Sequence, residues 1–125
     1  MDIRIKAKDY ELTPETSRYL EHRAASLEKL MGEDADVARL EIELGRDAGR
    51  PRHGANIWFA EMIVIMPGRK RVYARNNSES VNGAIDDVKE EIERQLRSEK
   101  KLHMRMYRKG GALLKRLMRF GDEQA

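Results

Sequence analysis

The chain has 125 residues, enough for one domain with a single hydrophobic core, and its 25 Lys/Arg and 22 Asp/Glu residues give a formal net charge of +3. It contains no cysteine, which excludes a disulfide framework and a thiolate metal site. The longest apolar cluster, residues 57–66, is interrupted by Glu61 and is far shorter than the ~20 residues of a membrane span. Because the N-terminus also lacks a signal-peptide pattern, we expect a soluble cytoplasmic protein.

The first predicted element is a half-buried strand over residues 2–8, where apolar and polar residues alternate. One face carries Ile3, Ile5 and Ala7, and the other carries Arg4, Lys6 and Lys8. Protection of an exposed sheet edge against aggregation explains this basic stripe about as well as a secondary contact with RNA does.

A helix is predicted to begin after Thr13, whose hydroxyl can cap it, with Pro14 in its first turn. Its apolar residues recur at intervals of four, three and four, at Leu20, Ala24, Leu27 and Met31. Gly32 follows and favours the end of the helix there.

Three further strands are predicted at 37–45, 57–66 and 71–75, with the turn Pro67-Gly68 between the last two, and they form an antiparallel meander. The third strand is apolar on both faces. Ile57, Phe59, Ile63 and Ile65 occupy the phase opposite Trp58, Ala60, Met62 and Val64. If the first set faces away from the helices, it forms an apolar patch that could mediate a homodimer.

The last predicted helix begins after Ser80 and carries an apolar stripe at Val81, Ile85, Val88, Ile92 and Leu96. We expect an interruption at Gly110-Gly111, followed by a short amphipathic segment that contains Leu113, Leu117 and Phe120. This divides the chain into a domain, 1–108, and a tail, 109–125, with no separate dimerisation domain. The tail also permits an alternative function, a basic membrane-surface or protein-interaction module.

Charge is distributed unevenly along the chain. Residues 1–88 carry fourteen bases and sixteen acids, whereas ten bases and one acid, Glu99, lie between Arg94 and Arg119. On the last helix, bases recur at steps of three, four, four and three, at Arg94, Arg97, Lys101, Arg105 and Arg108, which places them on one face; Lys89 and Lys100 lie beside them. This basic ridge predicts a polyanionic partner, because Arg and Lys bind phosphate well.

The element order β-α-β-β-β-α predicts an α+β fold with two helices packed on one face of a four-stranded sheet. Catalysis is not indicated. The three histidines are separated by thirty or more residues, and no metal-binding or phosphate-cradling motif is present. We therefore expect a protein without enzymatic activity, metal, cofactor or small-molecule substrate. We also expect it to be a monomer.

Several segments, in this order, resemble the short ribosome hibernation-promoting factor and ribosome-associated inhibitor family over residues 1–102. They are Thr13-Pro14, Tyr19-Leu20-Glu21-His22-Arg23, Ala60-Glu61-Met62-Ile63-Val64, Pro67-Gly68, Ala84-Ile85-Asp86 and Glu93-Arg94-Gln95-Leu96-Arg97. The resemblance implies a fold similar to double-stranded-RNA-binding domains and binding to ribosomal RNA in the decoding region of the small ribosomal subunit. It also implies inhibition of translation at the transfer and messenger RNA sites. Arg23 matches a base of the family and joins the predicted RNA-binding residues.

Overall fold

The computed structural model describes the backbone of residues 1–47 and 55–124, and the side chains of these ranges except at 103, 106, 107 and 110–124. The elements are β1 (Asp2–Lys8), α1 (Pro14–Met31), a 3-10 helix (Gly32–Val37), β2 (Arg39–Arg46), β3 (Trp58–Ile65), β4 (Val72–Ser78) and α2 (Val81–Gln124). The predicted order of strands and long helices is confirmed, and the 3-10 helix is an addition to it.

The four strands form one mixed sheet in the order β1-β2-β3-β4. β1 pairs in parallel with β2, whereas β2, β3 and β4 form the predicted antiparallel meander. Both helices pack on one face of this sheet, with α2 over β3 and β4 and α1 beside α2. The predicted α+β class and its two-layer architecture are therefore confirmed.

The strand register places the apolar phases of neighbouring strands on the face that the helices cover. Leu40 pairs with Val64, and Ile42 pairs with Met62, and all four side chains are buried. They join the apolar stripes of α1 and α2 in one cluster that contains Leu27, among others. Burial of this shared apolar surface is thus the main force that holds α2 on the sheet.

The first strand is less buried than its alternating pattern predicts. Ile3 pairs with Leu40 and lies on the covered face, yet it is 38% exposed, and Ala7 is exposed as well. Of the three predicted inward residues, Ile5 packs against the core. The exposure of β1 follows from its position, because it is the edge strand on the side of the sheet away from the strands that α2 covers.

Helix α1 begins where the capping residue predicts. The Thr13 hydroxyl oxygen accepts a hydrogen bond from the Thr16 backbone N–H at 3.1 Å, and Pro14 occupies the first turn. The helix ends at Met31, and Gly32 follows with a positive φ of 59°. A positive φ is readily adopted by glycine, which explains the abrupt end.

The face of the sheet away from the helices is less apolar than the sequence suggests. Phe59 does lie on this face, but it is fully buried, and the Arg75 guanidinium lies 4.2 Å from the centre of its ring. Ile63 is half-buried and pairs with Glu41 on one side and Tyr73 on the other. The predicted apolar patch is thus divided by polar groups, and the monomeric state stays a prediction.

The outer edge of β4 is occupied by a side chain of α2. The Gln95 amide donates a hydrogen bond from Nε2 to the Tyr73 carbonyl oxygen at 2.8 Å, and the Tyr73 backbone N–H donates to Gln95 Oε1 at 3.4 Å. The amide therefore pairs with both backbone groups of Tyr73, as a neighbouring strand would.

Helix α2 begins at Val81, directly after Ser80, whose hydroxyl accepts a hydrogen bond from the Gly83 backbone N–H at 3.0 Å. The helix then continues through Gly110 and Gly111 to Gln124, so the predicted interruption at these glycines is wrong. A glycine inside a helix is unfavourable by only about 1 kcal/mol relative to alanine, and good helix formers flank the pair. The assignment of 109–125 as a separate tail stays a prediction.

Within 1–47 and 55–124, none of the helices is both long enough and apolar enough to cross a bilayer.

Candidate RNA interface

The basic ridge lies on the side of α2 that faces away from the sheet. The buried residues Val88, Ile92 and Leu96 mark the packed side of the helix, and the ridge residues fall on the opposite side by the 3.6-residue period. All five ridge residues are exposed, namely Arg94, Arg97, Lys101, Arg105 and Arg108. The adjacent Lys100 is exposed as well. The structure therefore brings these predicted RNA-binding residues together on one accessible surface.

Acidic partners are confined to the N-terminal part of the ridge. Arg94 forms an ion pair with Glu91, and Arg97 lies 3.9 Å from Glu93. The pKa of Glu91 lies below its ordinary value because the Gln95 amide donates a hydrogen bond to its carboxylate and Arg94 lies beside it. Toward the C-terminus, the described residues place no carboxylate within 4 Å of Lys100, Lys101, Arg105 or Arg108. The positive potential is therefore strongest beyond Glu99.

Lys89 differs from the ridge residues in its surroundings. Its side chain is 17% exposed, and its Nζ lies 2.5 Å from a carboxylate oxygen of Glu93, one turn along the helix. Its charge is thus already paired, and its role as a phosphate contact stays a prediction.

Arg23 projects from α1 toward α2, where it meets a tyrosine and a carboxylate. Its Nη2 donates a hydrogen bond to the Tyr19 hydroxyl oxygen at 2.9 Å, and its Nε lies 3.1 Å from Asp86 Oδ1. The Tyr19 hydroxyl in turn donates to the Asp86 carboxylate, 2.6 and 2.7 Å from its two oxygens. The pKa of Arg23 is raised above its ordinary value by the hydrogen bond to Tyr19 and by the nearby carboxylate. Arg23 is therefore held between the two helices.

The basic stripe of β1 lies on a different surface. Arg4, Lys6 and Lys8 are exposed on the face of the sheet away from the helices, in the phase opposite Ile5. Arg4 also donates a hydrogen bond to Asp2 at 3.3 Å. The stripe and the ridge thus lie on different sides of the domain, and the stripe stays a predicted secondary contact.

The remaining predicted contacts lie outside the described side chains. Leu113, Leu117 and Phe120 belong to α2, whose backbone is described to Gln124, and their side chains lie outside the described ones. Arg50, Arg52 and His53, for which the sequence favours a solvated loop over a phosphate contact, fall in residues 48–54, outside the described residues.

Sequence reasoning does not find the roles of Tyr19, Asp86 and Glu93. One signal is present in the chain, since Lys89, Glu93 and Arg97 are spaced four residues apart, which brings opposite charges together on a helix. The contact between Arg23 and Asp86 has no such signal, because it depends on how α1 and α2 pack.

The described part of the chain holds no group of three or more His, Cys, Asp or Glu side chains that could bind a metal ion. What the interface offers chemically is a row of cationic hydrogen-bond donors, suited to binding phosphate oxygens rather than to making or breaking bonds.

A comparison with models of protein families decides the assignment. The model described as sigma 54 modulation protein / S30EA ribosomal protein matches residues 3–103, which include both helices, the sheet and most of the ridge. The chain belongs to this family. Its members are non-enzymatic ribosome-associated factors, which confirms the predicted family and the expectation of a protein without catalytic activity.

Solved structures share the fold of this family member. It is similar to the N-terminal domain of Protein Y from Thermus thermophilus, with a TM-score of 0.62 and 21% identity over 77% of this chain and 96% of that one. It is also similar to a ribosomal subunit interface protein from Coxiella burnetii, with a TM-score of 0.63 and 16% identity over 81% of this chain and 99% of that one. No curated protein matches the chain significantly in sequence.

Proposed function

We propose that the protein is a ribosome hibernation factor of the cytoplasm, which binds ribosomal RNA in the decoding region of the small subunit and so inhibits translation. The observation that carries this proposal is the exposed basic ridge on α2, in a chain of a ribosome-associated family. The predicted phosphate contacts are the five ridge residues, Arg94, Arg97, Lys101, Arg105 and Arg108. Arg23, Lys100 and Lys89 are further predicted RNA-binding residues.

Ribosomal RNA suits this surface for a physical reason. Each base that neutralises a phosphate releases condensed counterions, which favours binding without requiring a particular sequence. The guanidinium groups of the ridge can also bind a phosphate through two parallel hydrogen bonds or stack on an unpaired base. The near-neutral remainder of the domain lets the field of the ridge select an anionic partner without destabilising the fold.

Inhibition then needs only occupancy. A folded domain bound over the decoding region fills space that transfer and messenger RNA require, so protein and substrate RNA compete for one site. The expected kinetic signature is competition, in which excess transfer RNA displaces the protein.

Co-sedimentation with separated ribosomal subunits tests the proposal. We expect the protein to pellet with small subunits in low salt, to remain in the supernatant with large subunits, and to leave small subunits as transfer RNA is added. Equal binding to both subunits, or binding that transfer and messenger RNA leave unchanged, contradicts the proposed site.

A further inference from the structure

The contacts of Arg23 restrict its guanidinium to one orientation. The hydrogen bond to Tyr19 uses Nη2, and the close approach to Asp86 uses Nε, which is inaccessible to solvent and makes no hydrogen bond. The guanidinium carbon also lies 4.7 Å from the centre of the Tyr19 ring. These contacts fix the plane of the Arg23 guanidinium and engage its Nε side.

The outer edge of the same guanidinium remains available. The described residues make no hydrogen bond to Nη1, and the Arg23 side chain is 32% exposed. Nη2 keeps a second N–H beyond the one that it donates to Tyr19, so both donors of the Nη1–Nη2 edge are present. This edge is one of the two through which arginine binds a phosphate with paired hydrogen bonds. Arg23 is thus held from one side and open on the other.

A second carboxylate, that of Glu93, lies near two more bases on the same side of α2. Glu93 lies 2.5 Å from Lys89 and 3.9 Å from Arg97, one turn before and one turn after it. The negative charge of Glu93 also contributes, after Tyr19 and Asp86, to the raised pKa of Arg23. Two acids therefore lie among three bases where α1 meets α2, an arrangement that brings the bases together at the expense of net charge.

We propose that Tyr19 and Asp86 are positioning residues, which hold the Arg23 guanidinium in the orientation from which its outer edge binds an RNA phosphate. This inference rests on the proposed function and adds to it a part of the site that touches no RNA. Arginine loses side-chain freedom when it binds, and an arginine already held in place loses less. The expected gain in affinity is on the order of three- to tenfold.

A purely electrostatic account of the interface makes the opposite prediction. Asp86 is an acid next to a surface that binds an anion, so its removal should reduce repulsion and strengthen binding. If Asp86 positions Arg23, its removal should weaken binding although the protein becomes more positive. The sign of the effect separates the two accounts.

The test compares Asp86→Asn and Tyr19→Phe with the matched control Asp87→Asn. Asp87 is the next residue, is exposed, and lies two turns before Arg94 on the line of the ridge, and its replacement changes the charge by the same amount. Affinity for small subunits is measured over a range of salt concentrations. We expect Asp86→Asn and Tyr19→Phe to bind three- to tenfold more weakly, and Asp87→Asn to bind as tightly as the wild type or more tightly.

The salt slope separates positioning from a general structural effect. Loss of one phosphate contact should reduce the slope of log affinity against log salt by about 0.7 in both variants, as in Arg23→Ala. In an Arg23→Ala background, Asp86→Asn should cause no further loss. Melting curves identify any variant that fails to fold, and Tyr19→Phe, which keeps its ring, provides the test if Asp86→Asn does not fold.

Two results overturn the inference. Asp86→Asn and Tyr19→Phe that bind as tightly as the wild type with an unchanged salt slope show that Arg23 needs no positioning. A wild-type protein that does not bind small subunits at all overturns the proposed function and this inference with it, whereas the first result leaves the proposed function intact.

Discussion

Reversing two charges in the centre of the ridge, with Arg97→Glu and Lys101→Glu, should abolish binding to small subunits while the domain stays folded. Both side chains are exposed. Arg97 is 62% exposed, and its acidic partner, Glu93, lies at the long distance of 3.9 Å. The new glutamates add like-charge pairs one turn apart, each of which is unfavourable by about 0.2–0.5 kcal/mol. The melting temperature should therefore fall by no more than a few degrees.

The size of the binding effect follows from the number of phosphates that the ridge neutralises. The five exposed ridge residues, at about −0.7 each for single-stranded RNA, give a salt slope near −3.5, so fourfold more salt should weaken wild-type binding on the order of 100-fold. Because the double variant neutralises two fewer phosphates, its slope should be near −2.1, and the same change in salt should weaken any residual binding only about 20-fold. Each inserted carboxylate also repels the RNA, which lowers affinity further at every salt concentration.

The assay is titration of labelled protein with small subunits at several salt concentrations. Its control is Arg18→Glu with Lys29→Glu, which makes the same change in net charge at two exposed positions of α1. We expect the control to retain most of its affinity and its full slope. An equal loss in both double variants would show that net charge alone drives binding, and a flat salt response of the wild type would refute the phosphate contacts altogether.

Three further predictions concern stability and the end of the chain. Gly45→Ala should destabilise the domain by about 1–3 kcal/mol, because a Cβ atom there would lie 2.0 Å from the Lys8 carbonyl oxygen; thermal denaturation checks this, and an unchanged melting temperature contradicts it. The pKa of Asp47 is lowered by a hydrogen bond from Asn77 and by Arg75, so its stabilisation is present above the ordinary aspartate pKa near 4 and is lost as pH falls through the lowered value. Asp47→Asn should accordingly lower stability at neutral pH and flatten the acid limb of a stability–pH curve, whereas parallel curves would refute the assignment. Removal of residues 111–125 should weaken ribosome binding tenfold or more, as measured by the same titration; equal affinities would make the segment passive, and equal affinities with lost binding to anionic vesicles would favour the membrane-surface alternative.

The sequence predicts best those elements whose apolar residues follow one period. The stripe from Leu20 to Met31 places α1 correctly at both ends because local capping and long-range burial agree. The sequence pattern ends β4 too early, since Asn76 and Asn77 are turn formers, and their pairing with β3 depends on the strand beside them. The interruption at Gly110 fails for a related reason: helix propensity is a weak signal that flanking sequence overrides.

In the candidate site, too, the sequence predicts what depends on local period and fails where tertiary contacts decide. The ridge residues follow from helical period alone, because exposure on one face needs no knowledge of tertiary contacts. The surroundings of Arg23 cannot be predicted in this way, since Asp86 lies 63 residues further along the chain and meets it only where two helices pack. The alternation in β1 predicts the face that carries its bases, but the relation of that face to the ridge requires the order of the strands.

The amide of Gln95 acts as a surrogate strand for the outer edge of the sheet. An exposed edge is a template on which a second chain can extend the sheet, and that route leads to aggregation. At Tyr73 an incoming chain would first have to displace the amide, which already bonds both backbone groups. The opposite edge carries the like charges of Arg4, Lys6 and Lys8, which repel a copy of themselves. The two edges of the sheet are thus protected by different means, by a side-chain amide at Tyr73 and by like charges along β1. Because Gln95 lies between Arg94 and Leu96, the same helical turn binds the core, shields the sheet and presents a base to solvent, so substitutions in that turn should alter solubility as well as affinity.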